Sequence, residues 1–422
     1  MSRGAKRFPG RPPRADYADD DSAMSEHELR ARSALRALPS AVWALGAVSL
    51  LTDTASDMVY PLLPKLLGTV GAGAVALGFM EGLAEAIASL VKVWAGRASD
   101  RSARRGPFVV FGYGIAALAR PLMAIVAHPW QIVAARTLDR MGKGVRSAPR
   151  DALIGAVTPA EHRGLAFGVH RAMDNLGAVF GPLVAYLLIT GAHATIRMVF
   201  VLAVVPGALS TLLAYFAVRR EKRLPAIAVD AAKTPKKPLS RDVRRLLVAT
   251  AIFALGASAD SFLMARLTDL GLSLSLVPIA WVTLQLGKSL LNVPGGALAD
   301  RLGPRRVLIG SWLVYAVAYV AFARAPTFGW FWATLPLYAI HYGLGEGAEK
   351  SLMARVCTPT ERGAAFGAQH AVHGLALLPA NVLFGFLYVK SAPIAFAVEG
   401  ALALIAVVAL LLLTGERRAD VT

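Results

Sequence analysis

The sequence predicts an all-α membrane protein composed of two six-helix bundles related by a pseudo-twofold axis, and three observations support this fold class. First, 56% of the 422 residues are hydrophobic and the mean hydropathy is +0.53, which leaves too little polar surface to cover a soluble globule. Second, apolar stretches of about 20 residues, the length of helix that crosses about 30 Å of hydrocarbon, recur along most of the chain. Third, the second half repeats motifs of the first at an offset of 200 residues.

The apolar stretches predict about twelve membrane-spanning segments, six in each half. Helices are expected, because lipid offers backbone amides and carbonyls no water partner. We number them segments 1 to 12, at approximate residues 41–62, 73–95, 107–127, 130–156, 163–189, 196–218, 244–265, 273–294, 305–324, 329–354, 364–388 and 393–414.

The repeated motif is a glycine followed by Asp-Arg and then by paired arginines, after segment 2 and again after segment 8. Its members are Gly96, Asp100, Arg101, Arg104 and Arg105 in the first copy, and Gly296, Asp300, Arg301, Arg305 and Arg306 in the second. Farther on, Trp130 matches Trp330 at the same offset. These coincidences predict a duplicated membrane unit.

The net charge of +18 is distributed as the positive-inside rule requires, and is not gathered into one nucleic-acid-binding face. Most basic residues fall in the loops on one side of the membrane, whereas the other side carries isolated charges such as Lys65 and Arg197. We therefore expect a multi-pass protein of the inner membrane with both termini in the cytoplasm, and no nucleic-acid partner.

The expected domain organisation follows from the same pattern. It comprises a disordered cytoplasmic tail at 1–40, a first bundle at 41–218, a basic cytoplasmic linker at 219–243, a second bundle at 244–414 and a cytoplasmic tail at 415–422.

The doubled loop motif resembles the signature loop of the major facilitator superfamily, which lies between the second and third spans of a six-span half. Arg136, followed by Gly142 and Gly144 in segment 4, resembles that superfamily's fourth-helix motif. The resemblance covers roughly residues 41–414. It implies two six-helix bundles that rock about a central cavity, driven by an ion or substrate gradient.

A third motif, Gly177-x-x-x-Gly181-Pro182 in segment 5, resembles the antiporter motif of the same superfamily. Where that motif usually continues to a glycine pair, this chain has Ala185 and Tyr186. The resemblance favours efflux by antiport.

The arginines of the loop motif have a physical role besides anchoring the topology. Asp100, Arg101 and Arg104 can make charge-assisted contacts to helix ends and to the facing bundle. Contacts that exist in one rocking state and break in the other would set the conformational balance. We expect these loops to act as gates.

Segment 4 carries a stripe of charge. At 100° per residue its ionisable side chains fall within an arc of roughly 140°. Each would cost about 2.5–3.5 kcal/mol in hydrocarbon, so the stripe must face water, partners or substrate. Its members are Arg136, Asp139, Arg140, Lys143, Arg146, Arg150 and Asp151.

Acidic residues on neighbouring segments could pair with this stripe or carry protons. Asp53 and Asp57 lie one turn apart on segment 1, Glu81 and Glu85 on segment 2, and Asp174 on segment 5. A buried ion-pair network is the alternative for any single residue. The less charged second half contributes Asp260 on segment 7 and Glu346 on segment 10 to the predicted path.

The predicted function is secondary active transport of a small anionic or zwitterionic organic solute, with proton coupling and a preference for efflux. Proton-driven uptake of a carboxylate or an iron-chelating acid, and a sensor with a transporter fold, are the alternatives. We expect a lipid-embedded monomer that is not an enzyme and has no cofactor or metal. The single cysteine, Cys357, excludes an intrachain disulfide and a cysteine metal cage.

Overall fold

The computed structural model describes residues 38–102, 104–159, 163–219, 239–358 and 361–414. Most of the predicted tails at 1–40 and 415–422 and of the linker at 219–243 lies outside these residues. The described chain is helical and contains the twelve predicted segments, so the all-α class with two six-helix bundles is confirmed.

In the first bundle, segment 1 comprises Ser40–Val59, a short turn of 3₁₀ helix at Tyr60–Leu62, and Leu63–Thr69. Segments 2 to 6 are Ala74–Asp100, Gly106–Leu122 with Met123–Ile125, Pro129–Val157, Arg163–Thr190, and the pair Ile196–Leu202 and Val204–Arg219.

In the second bundle, segment 7 comprises Arg241–Leu255 and Ser261–Asp269, with a non-helical break between them. Segments 8 to 12 are Leu274–Leu276 with Val277–Leu302, Pro304–Ala323, Phe328–Val356, Arg362–Lys390 and Ala392–Leu413.

The breaks in segments 1 and 7 occur at equivalent places of the repeat. The first follows from Pro61, which withholds a backbone donor inside the helix. Both segments end at a glycine in the left-handed region, Gly71 with φ 76° and Gly271 with φ 95°, again 200 residues apart. The repeat seen in the loop motifs therefore extends to backbone geometry.

Eight segments within the described residues are long and apolar enough to cross a membrane by themselves. The remaining four are segments 1, 4, 7 and 10. Segments 1 and 7 are broken, and segments 4 and 10 carry polar and charged side chains along their length. These four helices hold most of the polar groups described below.

The two bundles meet most closely at one end of the molecule. Because successive segments alternate in direction, residues 40 and 413 lie at the same end, which we call the terminal end, and the turns at 70–73 and 270–273 lie at the far end. Segments 2 and 11 pack together towards the far end, where a Cβ built on Gly82 would lie 2.8 Å from the Cα of Leu378.

The hydrophobic cores show the same asymmetry. One core joins residues of both bundles near the far end, including Leu63 and Leu66 of segment 1 with Phe262 and Leu263 of segment 7. A second core near the terminal end, including Val42 and Ile154, contains residues of the first bundle alone. The bundles are thus sealed together at the far end and separate towards the terminal end.

Candidate functional site

A cavity of about 740 Å³ lies between the two bundles. Segments 1, 2, 4 and 5 of the first bundle and segments 7, 8, 10 and 11 of the second form its walls. Its lining is rich in charge. The acidic members are Asp53, Asp57, Glu81, Glu85, Asp151, Asp174 and Asp260, and the basic members are Lys92, Arg140, Lys143, Arg146, Arg150, Arg171, Lys288 and Lys350.

Nine of the twelve residues predicted for a substrate or proton path line this cavity. Asp53, Asp57, Glu81, Glu85, Arg140, Lys143, Arg150, Asp174 and Asp260 do so. Glu346 lines a smaller adjoining cavity of about 390 Å³ nearer the terminal end. Arg136 and Asp139 lie outside both sets of lining residues.

Arg136 is held in a buried ion-pair cluster between segments 2, 3 and 4. Its Nε and Nη2 donate to the two carboxylate oxygens of Glu81, each at 3.1 Å, and its Nη1 donates to Asp139 at 3.2 Å. Arg120 of segment 3 contacts the other oxygen of Asp139 at 3.0 Å. Two cations and two anions balance, and all four side chains are almost fully buried. The cluster fastens the bundle internally.

The part of the stripe towards the terminal end is more open. Arg140 lies 3.8 Å from Glu85, whose side chain is 40% exposed, so this pair is loose. Arg150 donates to Asp151 from Nε at 3.0 Å and to Ser49 from Nη1 at 3.1 Å. These guanidinium groups retain donors that face the cavity and can accept a carboxylate or phosphate.

The far end of the cavity is closed by contacts between the bundles. The indole nitrogen of Trp281 on segment 8 donates to Asp57 on segment 1 at 2.8 Å, and its ring lies 4.8 Å from the ring of Tyr60. Beside them, Lys288 pairs with Asp260, which also accepts a hydrogen bond from Tyr338 at 2.6 Å. These groups form the floor of the cavity.

Nearer the terminal end, an ion pair bridges the bundles. Arg171 of segment 5 lies 3.4 Å from Glu346 of segment 10, and Lys350 donates to the same carboxylate oxygen at 2.8 Å. The side chain of Arg171 is 54% exposed. This half-exposed contact is the weakest kind of ion pair, which is suited to breaking and re-forming.

The loop motifs occupy the terminal end. Arg305 donates from Nε to Thr414 and from Nη2 to the carbonyl of Leu411, each at 3.1 Å, so it caps the last turn of segment 12 within its own bundle. The other members differ in exposure. Arg101, Arg104, Asp300, Arg301 and Arg306 are exposed, Gly96 and Gly296 are half-buried and Arg105 is buried, and the side chain of Asp100 lies outside the described part of the structure.

The antiporter-like motif packs segment 5 against segment 1. A Cβ built on Gly177 would lie 3.0 Å from the Cβ of Asp53, and one built on Gly181 would lie 2.8 Å from the backbone nitrogen of Met58. The absence of side chains at these glycines, followed by Pro182, lets the two helices approach directly behind Asp53 and Asp57.

Sequence reasoning overlooked Arg120, Lys288 and Glu399. The first two complete ion pairs with predicted residues, whereas Glu399 is buried on segment 12. Each is an isolated ionisable residue in an apolar span. That is itself a functional signal in a membrane protein, and it could have identified all three.

Comparisons with known proteins place this geometry in context. The model of the Major Facilitator Superfamily matches residues 45–283 and 246–422. An uncharacterized MFS-type transporter of Methanocaldococcus jannaschii is 30% identical over 376 residues, covering 88% of this chain and 94% of that protein. The multidrug resistance protein MdtH of Proteus mirabilis is 27% identical over 185 residues, covering 43% of each chain.

Among solved structures, a bacterial homolog of the human lysosomal transporter Spinster, in an inward-facing and occupied conformation, has a TM-score of 0.74. The match covers 88% of this chain and 96% of that chain at 15% identity. At this identity the likeness shows the shared fold.

Proposed function

We propose, given that this chain belongs to the major facilitator superfamily, that it is a proton-coupled secondary transporter that exports a small organic zwitterion or anion. The observation that carries the proposal is the charged cavity between the bundles. It is sealed at the far end by Asp57 and Trp281 and separates the bundles towards the terminal end. A solute held there can be released on the other side once the bundles rock.

The lining supports a solute that carries both charges. Seven carboxylates and eight lysines or arginines line the cavity, so neither sign prevails strongly. The cations Arg140, Lys143 and Arg150 follow one face of segment 4, and the anions Asp53 and Asp57 follow segment 1. A solute with a carboxylate and an amine can pair with both walls. A volume of about 740 Å³ accommodates a drug-sized molecule.

Proton coupling would follow from competition at the carboxylates. Asp53, Asp57, Glu85 and Asp174 line the cavity, so each could take up a proton from water that enters it. Protonation removes the negative charge that would pair with the amine of the solute. Proton and solute therefore exclude one another, which is the requirement for exchange in opposite directions.

Export is favoured over uptake by two observations. Gly177 and Gly181 bring segment 5 against the helix that carries Asp53, as the antiporter-like motif suggests. The partial similarity to multidrug resistance proteins points in the same direction. The basic wall of segment 4 favours the second candidate, uptake of a carboxylate or an iron-chelating acid by proton symport. On the positive-inside pattern, we place both termini, and hence the terminal end, in the cytoplasm of an inner membrane.

The experiment has two stages. A thermal-shift screen of the purified protein against amino acids, organic acids, chelators and cationic drugs identifies a ligand, because binding raises the melting temperature by mass action. Flux of that ligand is then measured in proteoliposomes with a pH gradient of either sign. Uphill movement opposite to the proton gradient supports export, movement with it supports symport, and binding without flux supports a sensor.

Variants assign the roles. Arg140→Gln should weaken binding of an anionic or zwitterionic ligand, and Asp57→Asn should uncouple flux from the pH gradient. Lys65→Gln, at an exposed position near the far end of segment 1, is the matched control and should leave both unchanged. Unchanged binding and flux in Arg140→Gln would rule out the proposed anion contact.

A further inference from the structure

Glu399 is the single ionisable residue of segment 12, Ala392–Leu413, and it lies outside the lining of the central cavity. It is 3% exposed. A lone carboxyl in an apolar span is costly to keep and marks a functional position. Two hundred residues earlier, on segment 6, the first half has the apolar Val199, followed by Phe200, so the carboxyl is not required by the repeated architecture.

The carboxyl contacts the break in segment 7. Ser258 donates from Oγ to Oε2 of Glu399 at 2.9 Å, and the hydroxyl oxygen of Tyr315 lies 3.3 Å from the same Oε2. The Tyr315 hydroxyl also donates to the carbonyl of Gly256 at 2.7 Å. The Tyr319 hydroxyl and the backbone amide of Ser258 also face the carboxyl, but the other oxygen, Oε1, has no partner in hydrogen-bond geometry among the described residues.

Counting hydrogens indicates that this carboxyl is neutral. Tyr315 has one hydroxyl hydrogen, and the shorter contact to Gly256 uses it. The contact between Tyr315 and Glu399 is then attractive when Glu399 supplies the hydrogen. A neutral carboxyl also explains why Oε1 is left without a hydrogen bond, since a buried carboxylate oxygen without a partner is strongly unfavourable.

The surroundings contain hydroxyl groups and aromatic rings. Tyr315 and Tyr319 face the carboxyl from segment 9, Ser258 faces it from segment 7, and His341 of segment 10 lies 4.8 Å from the Tyr315 ring. The ion pair of Asp260 with Lys288 stands at the end of the same break and is internally balanced. Among the described residues, no group of three or more histidine, cysteine, aspartate or glutamate side chains could hold a metal ion here.

We propose that Glu399 is a second proton-binding site, separate from the cavity acids and reached from the cavity through Ser258. Ser258 lines the cavity, so its hydroxyl connects the two compartments. A hydronium ion in the cavity gives a proton to Oγ of Ser258, while the hydroxyl hydrogen of Ser258 passes to Oε2 of Glu399. One O–H bond forms and one breaks at Oγ, and the reverse sequence releases the proton.

The proton on Glu399 would control the break in segment 7. When Glu399 is ionised, the hydroxyl of Tyr315 turns from the carbonyl of Gly256 to the carboxylate, because a hydrogen bond to a charged acceptor is the stronger one. The carbonyl of Gly256 is thereby freed at the point where the helix bends. Proton binding at Glu399 and the conformation of segment 7, which carries Asp260, are therefore linked. This role in transport rests on the proposed function, whereas proton binding itself does not.

Infrared difference spectroscopy of the full-length protein in lipid measures this protonation directly. We expect the wild type to show the C=O stretch of a buried carboxylic acid, shifted in heavy water, which Glu399→Gln removes and Asp57→Asn keeps. Ser258→Ala should keep the band but slow its shift in heavy water. Glutamate labelled with a heavy carbon isotope distinguishes a glutamate band from an aspartate band in the wild type. Glu399→Asp, which keeps a carboxyl and should shift the band, keeps the test usable even when Glu399→Gln fails to fold.

Three results would overturn the proposal. They are the absence of the band in the wild type, its persistence undiminished in Glu399→Gln, and its loss on adding sodium at constant pH, which would identify a metal-ion site instead. A band without any flux in proteoliposomes would leave the proton site intact and contradict the transport proposal alone. Proton-coupled flux without the band would support the transport proposal and contradict the proton site at Glu399.

Discussion

Replacement of Arg136 by Gln tests whether the buried cluster of segment 4 fastens the first bundle. The change removes one of two cations and leaves Glu81, whose two oxygens both accept from Arg136, as an uncompensated buried anion. Breaking a buried ion pair in this way costs about 3–5 kcal/mol. The side chains of Arg136 and Glu81 are 1% and 6% exposed, so solvent screens little of this cost.

The assay is unfolding of the purified protein by a denaturing detergent, followed by helical circular dichroism. The double variant Arg136→Gln with Glu81→Gln should recover about 0.5–3 kcal/mol, since no unpaired charge remains. Arg101→Gln, at an exposed loop position, should change stability by less than about 0.5 kcal/mol. Wild-type stability in Arg136→Gln, or a double variant no more stable than the single, would refute the reasoning.

Three further predictions concern the bundle interface and the terminal end. Arg171→Glu should change the unfolding free energy by less than about 1 kcal/mol but shift the distance between the bundles, measured between spin labels. Adding Glu346→Arg in the double variant should restore the wild-type distance, and an unshifted distance in Arg171→Glu would contradict a gating role. Gly82→Ala should lower stability by about 1–3 kcal/mol because it forces segments 2 and 11 apart, whereas Gly310→Ala, with nothing within 4 Å of its Cβ, should not; equal melting temperatures would contradict the close approach. The backbone amide of Ser240, just before segment 7, donates to Oε2 of Glu361 at 2.9 Å, and the amide of Thr358 donates to Oε1 at 2.9 Å. These bonds lower the pKa of Glu361, so the contact with segment 7 should be present above the ordinary value of about 4.3 and be lost as the pH falls through the lowered pKa. Hydrogen exchange at the Ser240 amide should rise in Glu361→Gln at neutral pH, and unchanged protection would exclude the contact.

Hydropathy and the repeat predicted the number, type and grouping of the helices because these features are written in local composition. The breaks in segments 1 and 7 were not anticipated. Pro61 gave a signal for the first. The second depends on hydrogen bonds that reach residues 258 and 259 from Glu399 and Asn381, more than 100 residues away, and no local pattern reports them.

The site shows a similar limit. Helical periodicity placed Arg136 and Arg140 on one stripe, and the structure shows that this stripe faces two environments. Arg136 points into the cluster with Glu81 and Arg120, whereas Arg140 points into the cavity. The difference arises from how segments 2 and 3 pack beside segment 4, which a single sequence does not reveal. Periodicity finds a polar face but cannot assign each turn of it.

The central claim, that the two bundles enclose a passage reached by water, is tested most directly by thiol labelling at two adjacent positions of segment 8. Ser289 lines the cavity, while Leu290 is 72% exposed and is not part of the cavity lining, so we expect it to face lipid. In a background with Cys357 replaced by Ser, a charged maleimide should label Ser289→Cys from the terminal side and spare Leu290→Cys, because the reactive thiolate forms in water. Labelling of Leu290→Cys with protection of Ser289→Cys would contradict the account.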